Sequence, residues 1–176
     1  MSWNDFYRRR DVMNAVLRQA RRNPQGELPF AEVAGARELF GTKQDLLLAL
    51  HHKWTQLLCG YLRAESACPD DTLAGDQEND QIDAVSSAWQ KAAKKHETLR
   101  TVLDAHLGES PMLLGVHQAE QRMLAVTAGL AEASEPIAEI TKVGVAFDAL
   151  LRSSAARPAR RRSPVDHLLR MLAPSA

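Results

Sequence analysis

Apolar side chains recur at intervals of three and four along most of the chain, and no stretch alternates apolar and polar positions with the Val, Ile and Thr enrichment of a strand. The pattern predicts an all-α protein. A first helix is expected from Asn4 or Asp5 to Arg22, with Phe6, Val12 or Met13, Val16, Leu17 and Ala20 on one face, and Asn23-Pro24-Gln25-Gly26 stops it. Leu28-Pro29 leads into a short helical segment, Phe30 to Ala34, because proline is preorganised for a helix start. Gly35 breaks that segment. After the fragment Ala36 to Phe40, Gly41-Thr42 opens a long helix that Thr42 caps, with Asp45 near its positive pole. Leu46, Leu47, Leu50, Trp54, Leu57, Leu58, Tyr61 and Leu62 give it a wide apolar stripe.

From Ser66 to Asp80 the sequence SACPDDTLAGDQEND lacks a hydrophobic period and reads as a loop. Ile82, Val85, Trp89, Ala92 and Ala93 mark the next helix, which ends near Lys94, Lys95 and His96, where positive charge suits the dipole. A shorter helix is expected from Thr98 to Leu107. Ser110-Pro111 starts another that reaches about Ala131, and Ser134-Glu135-Pro136 starts the one carrying Ile137, Ile140, Val143, Phe147, Leu150 and Leu151. Ser163-Pro164 opens a last, brief amphipathic helix. No fixed-period repeat is present.

The 176 residues suit one globular domain with an appended module, and 22 basic and 22 acidic side chains cancel. Their distribution is uneven. Residues 1–63 carry 10 basic and 6 acidic side chains, 64–140 carry 5 and 14, and 141–176 carry 7 and 2. No apolar run approaches the roughly 20 residues of a membrane span. The N-terminus lacks a secretory pattern, and Cys59 and Cys68 are too few for a disulfide framework, so a soluble, cytoplasmic protein is expected, with no membrane partner.

One stretch is more specific than periodicity. The run AEVAG (31–35), followed by FGTKQDLLLALHHKW (40–54) and preceded by an amphipathic helix, resembles the N-terminal domain of TetR-family transcriptional regulators over residues 8–62. In that family an I-A-x-x-A-G-like turn sits inside a helix-turn-helix, and an aromatic-Gly-Ser/Thr-Lys-x-Asp/Glu-Leu-Leu segment starts the fourth helix. The resemblance implies a helix-turn-helix-like DNA-binding module over 1–45, a helical effector-binding and dimerisation domain over 46–155, and a basic connector with a short helix over 156–176. It implies a homodimer through the helices at about 111–131 and 136–155, and DNA binding modulated by a small hydrophobic effector. Gly144 and Ala146 suit close approach of a partner helix there, or packing within the subunit. The pattern departs from the family between Gly35 and Gly41, where only Ala36 to Phe40 intervene. Five helical residues span about 7 Å, a little over one turn, which offers Arg37 and Glu38 to a groove and is too short for the usual recognition helix. The alternative is therefore a TetR-fold homodimer that binds a ligand or another protein and has lost sequence-specific DNA binding.

By the resemblance, Lys43 faces a phosphate from the start of the fourth helix. Arg8, Arg9, Arg10 and Arg37 suit either a DNA backbone or a solvated helix face, and the arginines of RPARRR (157–162) suit nucleic acid, acidic lipid, the acidic middle of the chain or solubility alone. Trp54, Tyr61, Trp89 and Phe147, with Met112, are candidates for the effector pocket or for plain core packing. His106 and His117 are the polar groups proposed to orient a ligand. No metal site or cofactor is expected: His51 and His52 point about 100° apart on a helix, and His52 and Cys59 lie about 10 Å apart along one. No GxSxG, HExxH, P-loop or GxGxxG motif occurs, so no enzymatic activity is expected.

Overall fold

The computed structural model describes residues 3–66 and 77–156. The RPARRR stretch, the helix expected after Ser163-Pro164 and most of the loop expected between 66 and 80 lie outside the described residues. The order is α1 (Trp3–Ala20), α2 (Ala36–Phe40), α3 (Lys43–Ser66), α4 (Gln77–Lys95), α5 (Glu97–His106), a 3-10 turn (Leu107–Glu109), α6 (Pro111–Thr127) and α7 (Ile137–Ala156). Among the described residues the protein is all-helical, without a strand. No helix among them is long and apolar enough to cross a membrane.

The axis of the fold is α3, which packs against α2, α4, α5 and α6, while α6 and α7 form the closest helix pair. Leu46, Leu47, Leu50, Trp54 and Leu58 are fully enclosed on its inward stripe. Burying each leucine contributes about 1.5–3 kcal/mol relative to exposure. One continuous core runs from Val16 and Phe40 through α3 to Val85, Trp89, Val102, Leu103, Leu113, Phe147 and Leu151. Residues on both sides of position 45 share it, and α3 crosses that position unbroken.

The start of α3 follows the capping expectation. Thr42 Oγ1 accepts the Asp45 N–H at 3.1 Å and donates to Asp45 Oδ2 at 2.6 Å. Gly35 (φ +81°) and Gly41 (φ +74°) take left-handed conformations at the two ends of α2, which restricts that helix to five residues. Three boundaries differ from expectation. Residues 30–34 form turns instead of a helical segment: Phe30 N–H bonds Leu28 O and Ala36 N–H bonds Val33 O, which commits these backbone groups to tighter turns than the i to i−4 bonds of a helix. The sixth helix stops at Thr127, short of Ala131, because Gly129 (φ +70°) turns left-handed and a Schellman pair closes the end, Gly129 N–H to Val126 O and Leu130 N–H to Ala125 O. Residues 77–80, expected in a loop, already belong to α4. Ser110 occupies the cap position of α6 without a side-chain cap bond, leaving Pro111 as the start signal.

Candidate functional site

Helical spacing delivers two or more polar side chains from each of four helices to one buried point. His51 and Trp54 come from α3, three residues apart; Arg100 and Asp104 from α5, four apart; His117, Glu120 and Gln121 from α6; Asp148 and Arg152 from α7, four apart. Such intervals place the members of each set on one helix face. His51, Arg100, His117, Glu120, Gln121 and Asp148 are buried.

Glu120 is the hub. Its Oε1 accepts the Trp54 Nε1–H at 2.8 Å and an Arg100 Nη1–H at 2.9 Å. Its Oε2 lies 3.1 Å from His51 Nε2 and 3.6 Å from His117 Nδ1, without the alignment of a hydrogen bond to either. Arg100 also grips Asp104 with Nη2 at 2.8 Å and Nε at 3.3 Å, and its guanidinium lies 5.1 Å from the ring centre of Trp54 and 5.9 Å from that of Trp89. On the far side, Arg152 joins Asp104 (3.0 Å) to Asp148 (2.8 Å). Gln121 Nε2 donates to Asp148 Oδ2 at 3.1 Å and stands 3.0 Å from His117 Nε2.

Burial opposes ionisation of both inner carboxyls, yet their partners prevail. Contacts with His117 and His51, the Arg100 charge and the Trp54 N–H hold Glu120 well below the usual carboxylate range. Asp148 is lowered to about 2, against burial, by His117, the Arg152 charge and Gln121. His117 is raised although burial opposes its charged form, because Asp148 and Glu120 favour the imidazolium. Beside the two imidazoles, Glu120, Asp148 and Asp104 face the guanidiniums of Arg100 and Arg152, so the carboxylates exceed the guanidiniums by one.

Among the buried polar atoms left without a hydrogen-bond partner, His51 Nε2 and His117 Nδ1 converge on Glu120 Oε2, and the three residues each offer a ligand atom within 4.8 Å of the others. From the sequence, His106 and His117 are expected together as the polar groups that orient a ligand. The structure instead sets the His117 ring 6.4 Å from that of His51, edge to face, and ties His106 Nδ1 to Glu109 at 2.6 Å. His51, Glu120, Arg100 and Asp148 were missed as site residues. The one local signal was their polarity at positions of helical period otherwise occupied by core residues.

The remaining candidates for a ligand do not gather at one point. Trp54 and His117 join the cluster, Trp89 flanks Arg100, and Phe147 is a core residue. Tyr61 lies half-buried against His96, ring centres 6.2 Å apart. Met112 is 66% exposed.

The candidates for DNA occupy the N-terminal module and are partly engaged. Lys43 Nζ pairs with Glu109 at 2.9 Å, Arg8 lies 3.8 Å from Glu38, and Arg10 lies 3.6 Å from Asp11. Arg9 stacks over Phe40 at 4.8 Å, and Arg37 is exposed on α2. Between α1 and α3 a surface groove of about 810 Å³ has Phe6, Met13 and Leu57 among its apolar residues and Arg9, Arg10 and Lys53 among its basic ones. Partial burial and the nearby Arg10 charge lower the Lys53 pKa. No family model matches the chain, and neither does any curated protein or solved structure.

Proposed function

We propose that the chain is a homodimeric, TetR-like transcriptional regulator in which the state of the helical bundle sets the placement of two N-terminal modules on DNA. One observation carries the reading: α3 is a single helix of 24 residues whose start packs on α2 and whose inward face reaches the polar cluster with His51 and Trp54. A single unbroken helix whose start lies in one region and whose middle lies in the other couples them mechanically. An effector that binds one arrangement of the cluster better than another shifts the module by its differential affinity.

Dimerisation draws support from the outer face of α6 and α7. Met112 and Val116, four apart on α6, and Val145 and Leu150 on α7 are exposed apolar side chains, and exposed Ala146 and Ala149, each four from one of the α7 pair, leave room for a partner helix.

A second reading is favoured by specific contacts: the protein is a TetR-fold dimer that binds a ligand or partner without reading bases. The five residues of α2 present only Arg37 and Glu38 outward, Glu38 repels phosphate, and Lys43 is held by Glu109. Fluorescence anisotropy with duplexes tiling the DNA beside the gene, against an unrelated duplex at two salt concentrations, separates the two. Preference for one duplex by roughly 10³-fold or more at the higher salt supports the regulator. In that case Lys43→Ala lowers the salt slope by about one. Equal binding that collapses with salt, or no binding, overturns the regulator in favour of the second reading.

A further inference from the structure

We propose that His51 Nε2, His117 Nδ1 and Glu120 Oε2 form a binding site for a divalent transition-metal ion of the zinc class. The inference stands on the geometry of the cluster and does not depend on whether the chain binds DNA.

With both rings neutral, one assignment of their protons leaves Glu120 Oε2 without a donor. Thr55 Oγ1 donates to the His51 carbonyl at 3.1 Å and lies 3.5 Å from His51 Nδ1, so it can accept the ring proton there. That tautomer leaves Nε2 unprotonated, 3.1 Å from Glu120 Oε2. His117 Nε2 lies 3.0 Å from the Gln121 amide nitrogen and 3.6 Å from Asp148 Oδ2; a ring proton shared with that carboxylate leaves Nδ1 unprotonated, 3.6 Å from the same Glu120 oxygen. Three electron-rich atoms then confront one another inside the protein, where unsatisfied polar atoms are rare. A cation among them removes the conflict.

Both separations from the carboxylate oxygen suit one, and the ligand atoms of the three residues all lie within 4.8 Å of one another. A tetrahedral ion with bonds of about 2.0–2.1 Å holds its ligand atoms about 3.4 Å apart. The observed 3.1 Å and 3.6 Å separations from Glu120 Oε2 bracket that value. Two imidazoles and one carboxylate are a donor set for zinc or ferrous iron, and without thiolate it does not select copper(I). Three protein ligands leave one position open to water or to a small anionic or carbonyl ligand.

The surroundings match an outer shell. Trp54 and Arg100 occupy Oε1 and thereby aim Oε2 at the two rings; Asp148 and Thr55 address the distal ring nitrogens. Ligation through Nδ1 places the ring proton on Nε2 and requires the Gln121 amide nitrogen, 3.0 Å away, to move off it while Asp148 Oδ2 accepts that proton's hydrogen bond. The excess of one carboxylate over the guanidiniums is offset by the ion. A proton on His117 is the rival occupant, and it makes a distinct prediction.

The test uses the untagged full chain, stripped with a chelator and titrated with Zn2+ alone. Calorimetry is expected to give one equivalent per chain. His51→Gln and Glu120→Gln are expected to weaken it by at least about 100-fold, Trp54→Phe by 10- to 100-fold as an outer-shell change, and His52→Gln not at all. Should the inner variants fail to fold, the imidazole nitrogen resonances of the wild-type chain decide: Zn2+ is expected to move His51 Nε2 and His117 Nδ1 while His52 and His106 stay in place. No binding by the wild-type chain, binding that survives His51→Gln and Glu120→Gln, or a His117 ring that keeps both protons throughout the titration overturns the proposal.

Discussion

Glu120 and Arg100 show what a buried charge demands of its neighbours. Each loses most of its hydration, and each recovers it only through several directed contacts: Glu120 through Trp54 and Arg100, Arg100 through Glu120, Asp104 and the faces of two indoles. Deleting one partner strands the other. Arg100→Leu is expected to lower the unfolding free energy by about 3–5 kcal/mol in urea denaturation, and a loss below about 1 kcal/mol would mean that the cluster relaxes or hydrates freely. Glu109 carries a weaker, exposed version of the same logic. Burial opposes its ionisation, but His106 and Lys43 lower its pKa. Its folded-state pKa lies below its ordinary value near 4.5, so its contribution is present above that pH and disappears as pH falls through the lowered value. Thermal melts between pH 3 and pH 6 are expected to show less acid sensitivity in Glu109→Gln than in the wild-type chain; parallel curves would remove Glu109 from the balance.

At the scale of helices, α6 and α7 meet at Gly144. A Cβ built there would sit 2.6 Å from the Gln121 carbonyl oxygen and 2.7 Å from its carbon, both backbone atoms that cannot swing aside. This small residue, weighed from the sequence as a point of contact with a partner helix, is used within the subunit. It also sets the reach of Gln121 and Asp148 toward each other across the pair. Gly144→Ala is therefore expected to push the helices apart and cost about 1–3 kcal/mol in chemical denaturation. An unchanged midpoint would show that the pair slides without penalty. On the opposite side of α7, Ala146 is exposed and remains available to a second copy.

At the scale of the molecule, the exposed face of α6 and α7 leads to an expected dimer. Sedimentation velocity is expected to show a two-chain species that Val145→Glu with Leu150→Glu converts to a folded monomer, since charge on an apolar face opposes burial. A monomeric wild-type chain would exclude a dimer and, with it, the coupling of two modules.

What the sequence determined by itself was local. The helical period, the Thr42 cap with Asp45, the breaks at Gly35 and Gly41 and the start at Pro111 depend on neighbours a few residues away, and such signals survive in a linear reading. So does the inward stripe of α3 from Leu46 to Leu62. The failure at residues 30–34 has the same origin in reverse, because proline preference was read without the turn bonds from Phe30 to Leu28 and from Ala36 to Val33 that claim the backbone there. The meeting of His51 with His117 and Glu120 was a different kind of fact. These residues lie 66 and 69 positions apart, on helices whose mutual rotation is set by the whole core, by Gly144 drawing α7 onto α6 and by Trp54 reaching across to Glu120. Periodicity places a side chain on a face, but only packing decides which faces meet, and the chemistry of this cluster exists only where they do.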